Sequence, residues 1–269
     1  MAISDPNDRY VRQAQFALIG EAGQAKIQSA HVAILGCGAL GSVASELLVR
    51  AGVGRIRLID RDLIEWSNLQ RQSLYVESDA EQALAKAEAA AGHLRQINSS
   101  VVIEEVVADI HPANIAEHLR DVDLVIDAAD NFTLRLLLND WSLSTGTPWV
   151  HGGCVGANGQ VRFFNGVSPC FRCLVPDVPD PGEVETCDTA GVIGPATHLI
   201  ASLQSSEALK FLSGNESAIN PRVLSIDLWR NRIREIAIDE NLSNQCPACS
   251  GGQLEFLDAS EAGTSQAET

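Results

Sequence analysis

The stretch HVAILGCGALGS, residues 31–42, restricts the fold more than any other. A short apolar run meets three glycines, Gly36, Gly38 and Gly41, spaced G-x-G-x-x-G, and a helix-forming stretch follows to about residue 51. Strand, tight turn and helix in that order make a βαβ unit. Its glycines let the backbone close on a phosphate at a helix N-terminus. The loop alone does not say whose phosphate, because those amides attract any anion.

The alternation continues downstream. RIRLID (55–60), VVIEEVVAD (101–109), DVDLVIDAAD (121–130) and TPWVHGG (147–153) read as buried strands. Residues 10–28, 80–97 and 132–146 read as helices, the last closed by Gly146. This predicts an α/β, Rossmann-like, doubly wound and mostly parallel sheet. After about residue 152 the rhythm changes. GQVRFF (159–164) and RVLSIDLWRNRIREIAI (222–238) read as strands of a partly antiparallel extension, with a helix over about 195–212 between them. The expected organisation is one domain over 1–249, with an N-terminal helical segment (1–30) and a C-terminal part (152–249). Residues 250–269 are small and acidic and are expected to form a disordered tail.

Composition narrows the function classes. With 35 acidic and 19 basic residues the formal net charge is −16, and no Lys/Arg run interrupts it. Nucleic-acid binding is therefore not expected. No apolar run approaches the ~20 residues of a membrane span, and no export signal opens the chain, so a cytoplasmic protein is expected. Seven cysteines, an odd number, include two C-x-x-C pairs, which favours metal binding or thiol chemistry over a disulfide framework.

Asp60 ends the second strand, where an acid accepts hydrogen bonds from ribose. DRDLIEWSNLQRQ (60–72) then supplies more polar groups than a dinucleotide needs. Arg71 has the fork for phosphate oxygens, Asn68 with Gln70 or Gln72 adds neutral donors, and Lys86 adds a point charge. Asp130 and Asn131 end the fourth strand on the ligand side, and Asp130 has the chemistry to hold Mg2+ beside substrate phosphates. Together these point to ATP and Mg2+ rather than to a nicotinamide cofactor. Cys170, Cys173, Cys246 and Cys249 offer four thiolates, enough for a closed structural Zn2+ site that clips the C-terminal hairpin to the domain.

RYVRQ (9–13), GCGALGS, LIDRDLIEWSNLQRQ, DAADN, GQVRFF, PCFRC, TCDTAGVIGP and CPAC occur in the order seen in the MoeB/ThiF/HesA proteins. The chain resembles these prokaryotic relatives of ubiquitin-activating E1 enzymes over about residues 9–249. The resemblance implies an adenylyltransferase that uses ATP-Mg to activate the C-terminal glycine of a ubiquitin-like sulfur-carrier protein ending in Gly-Gly. The carrier would serve molybdopterin or thiamine synthesis, tRNA thiolation or specialised metabolism. Activation of a non-carrier substrate, a peptide or a tRNA base, is the alternative.

By matching position, Gly36, Gly38, Ala39 and Gly41 would line the nucleotide loop and Asp60 would contact the ribose. Ser67, Asn68, Leu69, Gln70, Arg71 and Lys86 would surround the phosphates, and Asp130 with Asn131 would organise Mg2+. Arg12 would reach across a homodimer to the partner's ATP. Cys187 would act as a thiolate in sulfur transfer. Ala39 stands where the family often has glycine, yet its amide is still available. The run after Cys249 leaves no room for a sulfurtransferase domain, so a separate sulfurtransferase or cysteine desulfurase is expected to donate sulfur.

Overall fold

The computed structural model describes residues 6–180, 182, 185 and 187–258. Eight strands form one sheet in the order β3-β2-β1-β4-β5-β6-β7-β8. They are β1 His31–Leu35, β2 Arg55–Ile59, β3 Val102–Val106, β4 Leu124–Asp127, β5 Trp149–Val155, β6 Asn158–Phe164, β7 Val223–Asp227 and β8 Arg232–Ile236. The first five run parallel, and β5 to β8 pair antiparallel. The expected doubly wound sheet with its antiparallel extension is therefore present.

Side chains alternate across the parallel strands, and both faces are buried. Val32, Ile34, Ile56, Leu58, Leu124 and Ile126 join one core with Leu48, Leu94 and Ile200, from the helices Gly41–Ala51, Lys86–Ile97 and Gly194–Leu212. Ala33, Leu35, Ile59 and Val125 join the other, with Leu136, Leu137 and Trp141 of the Phe132–Thr145 helix. That helix ends where predicted, at Gly146 with φ +73°. At the sheet's antiparallel side Trp149 stacks on Phe164 at 4.8 Å, and Phe171 meets Trp149 edge-on at 5.8 Å.

Three boundaries differ from the sequence reading. Residues 10–28 form the short helix Val11–Ala14 and then Gly20–Ser29, broken near Gly20 at φ +62°. Residues 80–97 split into Glu77–Glu81 and Lys86–Ile97. The Ile64 amide donates to the Leu84 carbonyl at 2.9 Å and the Lys86 amide to that of Asp62 at 2.9 Å. Tertiary pairing thus overrides strong helix propensity, with Ala83 at φ +47° in the break. Composition also assigns residues 250–258 to a loose tail, yet they are held. Glu255–Asp258 is helical, the Phe256 amide donates to Asp140 Oδ2 at 3.0 Å, and Arg172 pairs with Glu255 at 2.5 Å. Residues 259–269 lie outside the described residues. Among the described residues no helix is long and apolar enough to cross a membrane.

Candidate nucleotide site and cysteine cluster

Strand order reverses between β1 and β4, and the glycine loop sits at the carboxyl ends of these strands, the usual ligand crevice of such sheets. Gly36 has φ +96°, and a Cβ there would lie 2.7 Å from the Ala128 carbonyl oxygen beyond β4. A Cβ on Gly41 would come within 1.9 Å of the Gly36 oxygen. These two glycines fold the turn. Gly38 is different: the nearest atom to a Cβ there is Gln72 Nε2, at 3.8 Å. The packing of the protein itself does not demand glycine at 38. The Gly41–Ala51 helix has no side-chain cap at its N-terminus, although its Ser42 amide already donates to the Gly38 carbonyl at 3.0 Å; a helix start of this kind favours an anion.

Asp60 Oδ2 accepts the Cys37 amide at 2.6 Å and Oδ1 accepts the Asp62 amide at 2.8 Å. Burial pushes this carboxyl up from its ordinary range, opposed by those amides and by the Lys86 charge. Each oxygen keeps a second lone pair for a hydroxyl. Lys86, buried at the start of its helix, pairs with Asp62 at 2.8 Å. The Tyr75 hydroxyl donates to the Cys37 carbonyl at 2.7 Å and lies 3.1 Å from that of Lys86, tying the helix start to the glycine loop.

The segment after β2 runs beneath the same crevice. Asn68 is buried and its Oδ1 accepts the Glu65 amide at 3.1 Å, while Ser67 Oγ reaches Glu65 at 3.2 Å. Arg71 Nη1 donates to the Ser67 carbonyl at 2.8 Å, Gln70 donates to Val192 at 3.4 Å, and Leu69 packs on the core. Gln72 is buried, and its Oε1 finds no hydrogen-bond partner among the described residues. An orphaned buried oxygen beside a bare glycine, below an uncapped helix, fits a bound polar ligand. Asp130 and Asn131 are exposed just past β4. Asn131 Oδ1 caps the next helix by accepting the Leu134 amide at 2.8 Å, and its Nδ2 lies 3.3 Å from Asp130. Asp130 is thus an exposed carboxylate at the link between β4 and that helix, the donor type a divalent cation takes.

Arg12 is not gathered into this set. It is exposed, and its Nη1 donates to Gln15 at 3.1 Å. Its segment is anchored elsewhere: Tyr10 abuts Gly52, and the Asn98 side-chain amide donates to the Tyr10 hydroxyl at 2.7 Å. That is the C-terminal end of the Gly41–Ala51 helix, ~15 Å from the loop at the α-helical rise. Val11, Phe16 and Leu18 flank it, all exposed. Cys187 opens the helix Cys187–Ala190, and its side chain lies outside the described residues' side chains.

The four cysteines Cys170, Cys173, Cys246 and Cys249 do converge, with all sulfurs within 4.8 Å of one another. Cys170–Cys246 is 3.7 Å, Cys173–Cys249 is 3.6 Å and Cys170–Cys173 is 4.0 Å. Sulfurs at 2.3 Å from a tetrahedral Zn2+ stand about 3.8 Å apart, so the donor set and its spacing fit that ion. Burial pushes the Cys170 thiol up, a cost that a metal removes by holding the thiolate. Asn139 Oδ1, on the Phe132–Thr145 helix, accepts the Phe171 amide of the first knuckle at 2.8 Å.

A second polar set was missed in the sequence. Asp127 is fully buried at the end of β4. Its Oδ1 accepts the Ala129 amide at 3.0 Å, and its Oδ2 accepts His151 Nδ1 at 2.7 Å and Arg135 Nε at 3.2 Å. Arg135 Nη2 donates to the carbonyls of Ala129 and Gly152. Burial lowers the His151 pKa, opposed by the Asp127 bond. The signal was a charged or polar residue, Asp127 or His151, inside a strand that should be wholly apolar.

The ThiF family profile matches residues 10–248. The chain is 44% identical over 250 residues to the sulfur carrier protein ThiS adenylyltransferase of Bacillus subtilis, covering 93% of this chain and 73% of that protein. It is 36% identical over 251 residues to the SAMP-activating enzyme E1 of Haloferax volcanii, covering 93% and 92%. Among solved structures, E. coli MccB with MccA-N7isoASN superposes with a TM-score of 0.78 at 24% identity, over 92% of this chain and 75% of that one. This last likeness is one of fold.

Proposed function

Because the chain belongs to the ThiF family, we propose that it uses ATP to adenylate the C-terminal glycine carboxylate of a ubiquitin-like sulfur-carrier protein, releasing pyrophosphate. The enzyme is an adenylyltransferase. The observation that supports the reading is the bare Gly38 beside the partnerless Gln72 oxygen at an uncapped helix start, with the first residue of the Lys86–Ile97 helix tied to the same loop through Tyr75.

In this reading Asp60 takes the ribose hydroxyls on its free lone pairs. Lys86 leaves Asp62 for phosphate oxygens, and Arg71, Asn68 and Gln72 complete the triphosphate cradle. Asp130 holds Mg2+, which when bound neutralises phosphate charge and aligns the reacting groups. No general base is needed, because the attacking carboxylate is already ionised at neutral pH. Alignment and charge neutralisation carry the step. Arg12 acts on the partner's nucleotide across a homodimer. Its exposure beside Val11, Phe16 and Leu18 supports a covered surface there. Cys170, Cys173, Cys246 and Cys249 hold structural Zn2+. Cys187 serves as the thiolate in sulfur transfer, with sulfur supplied by a separate donor protein.

The test is ATP–pyrophosphate exchange with small Gly-Gly proteins added one at a time. Exchange that depends on one carrier and is lost in Asp130→Ala is expected. Exchange supported by a peptide or a tRNA instead would overturn the carrier assignment.

A further inference from the structure

We propose that Asp127, Arg135 and His151 form a positioning unit that fixes the backbone leading into Asp130, and so aims the Asp130 carboxylate at the nucleotide-bound divalent cation. The inference rests on the reading of Asp130 given above.

The link between β4 and the Phe132–Thr145 helix is only residues 128–131 long. Ala129 immediately precedes Asp130, and both of its backbone polar groups are taken by the unit. Its amide donates to Asp127 Oδ1 at 3.0 Å and its carbonyl accepts Arg135 Nη2. On the other side, Asn131 is locked as the cap of the helix. Asp130 is therefore held between two fixed neighbours.

His151 anchors the unit to β5. Its Nδ1 donates to Asp127 Oδ2 at 2.7 Å, and its Nε2 stands 3.2 Å from Gln160 Nε2. That arrangement places the proton on Nδ1, with Gln160 donating to the other nitrogen. Trp149 and Phe171 wall the imidazole at ring distances of 6.0 and 5.0 Å. Arg135 reaches the Gly152 carbonyl at 3.3 Å, closing the unit across β4 and β5. Buried ionic groups are poor stabilisers compared with apolar residues of the same volume. Stability alone does not account for a carboxylate, a guanidinium and an imidazole between two aromatic rings. Orientation of a cation-binding carboxylate does, as groups behind metal ligands commonly tune affinity.

The test uses Mn2+ as the metal probe with a non-hydrolysable ATP analogue, read by the Mn2+ EPR signal. His151→Leu keeps bulk and loses the donor, whereas His151→Asn places an amide nitrogen near the Nδ1 position. The leucine variant is expected to raise half-saturating Mn2+ about tenfold, and the asparagine variant to stay within about threefold of the parent. Affinity for the analogue in excess chelator is expected to be unchanged in both. Wild-type Mn2+ affinity in the leucine variant, or equal shifts in both variants, overturns the proposal. If the leucine variant does not fold, Arg135→Lys, which keeps the charge and loses the fork, takes its place with the same expectation. Asp130→Ala is measured alongside. If it binds Mn2+ as tightly as the parent, the reading of Asp130 falls and the proposal with it. If it loses Mn2+ while His151→Leu does not, the proposal alone falls.

Discussion

Replacing Asp127 by asparagine keeps the side chain's shape and removes its charge. In the native protein the carboxylate faces three donors: the Ala129 amide at 3.0 Å, His151 Nδ1 at 2.7 Å and Arg135 Nε at 3.2 Å. The amide oxygen of asparagine serves one side of that set, and its NH2 group then faces N–H donors on the other. His151 has an escape, because it can move its proton to Nε2 if the Gln160 amide flips. Arg135 has none. Its charge stays buried with the carbonyls of Ala129 and Gly152 and the Phe132 ring, 5.5 Å away, but with no counter-charge from Asp127. Breaking a buried pair in this way costs about 3 kcal/mol or more. For a chain of this size that is a fall of about 6–12 °C in Tm. The assay is denaturant unfolding by circular dichroism, with Arg135→Met and the double variant Asp127→Asn/Arg135→Met measured beside the single. Removing the orphaned cation is expected to make the double variant no less stable than Asp127→Asn. Strict additivity of the two single effects would refute the reasoning, because coupled neighbours do not add.

Mixing Arg12→Ala with Asp130→Ala, each inactive alone, is expected to restore about a quarter of wild-type exchange, since half of the randomly paired dimers hold one intact site; no recovery removes the role in trans. The His151 pKa is lowered by burial, so the unfolded chain binds the proton that the folded one refuses. Stability from this group is present above about pH 6.5 and is lost as pH falls through that value. Its share of the fall between pH 7 and 5 should vanish in His151→Asn, as urea midpoints will show; an unchanged slope argues against a neutral buried imidazole. Cys173→Ser is expected to reduce bound zinc, measured by elemental analysis, and to lower the urea midpoint; full zinc content in that variant would contradict the cluster's role. Gly41→Ala is expected to abolish ATP binding by calorimetry, because the new Cβ would lie 1.9 Å from the Gly36 carbonyl oxygen.

Much of this architecture is written locally. The glycine spacing, the apolar strand runs and the Gly146 stop each state a nearby constraint, and the structure obeys them. The paired C-x-x-C turns were legible too, since two knuckles of metal-ligand spacing have few other uses. What was not legible depends on distant partners. The break before Lys86 comes from hydrogen bonds to residues 62 and 64, which no helix propensity records. Residues 250–258 look like tail until Asp140 and Arg172 arrive to hold them. Asp127, Arg135 and His151 lie on three different elements and share no motif. Only their polarity within an apolar setting hints at a common purpose.

The Phe132–Thr145 helix touches both centres of the molecule. Asp130 and Asn131 stand at its head and Arg135 closes its first turn. Further along, Asn139 grips the Phe171 amide, Asp140 grips that of Phe256, and Leu143 packs on the cysteine cluster. It behaves as a rod of ~21 Å with one end in each workplace. Loss of the clip would therefore be felt as slack at the opposite end, where a fraction of an ångström decides alignment. Amide exchange at Leu134, whose amide donates to Asn131, would report the state of sulfurs two to three helical turns away.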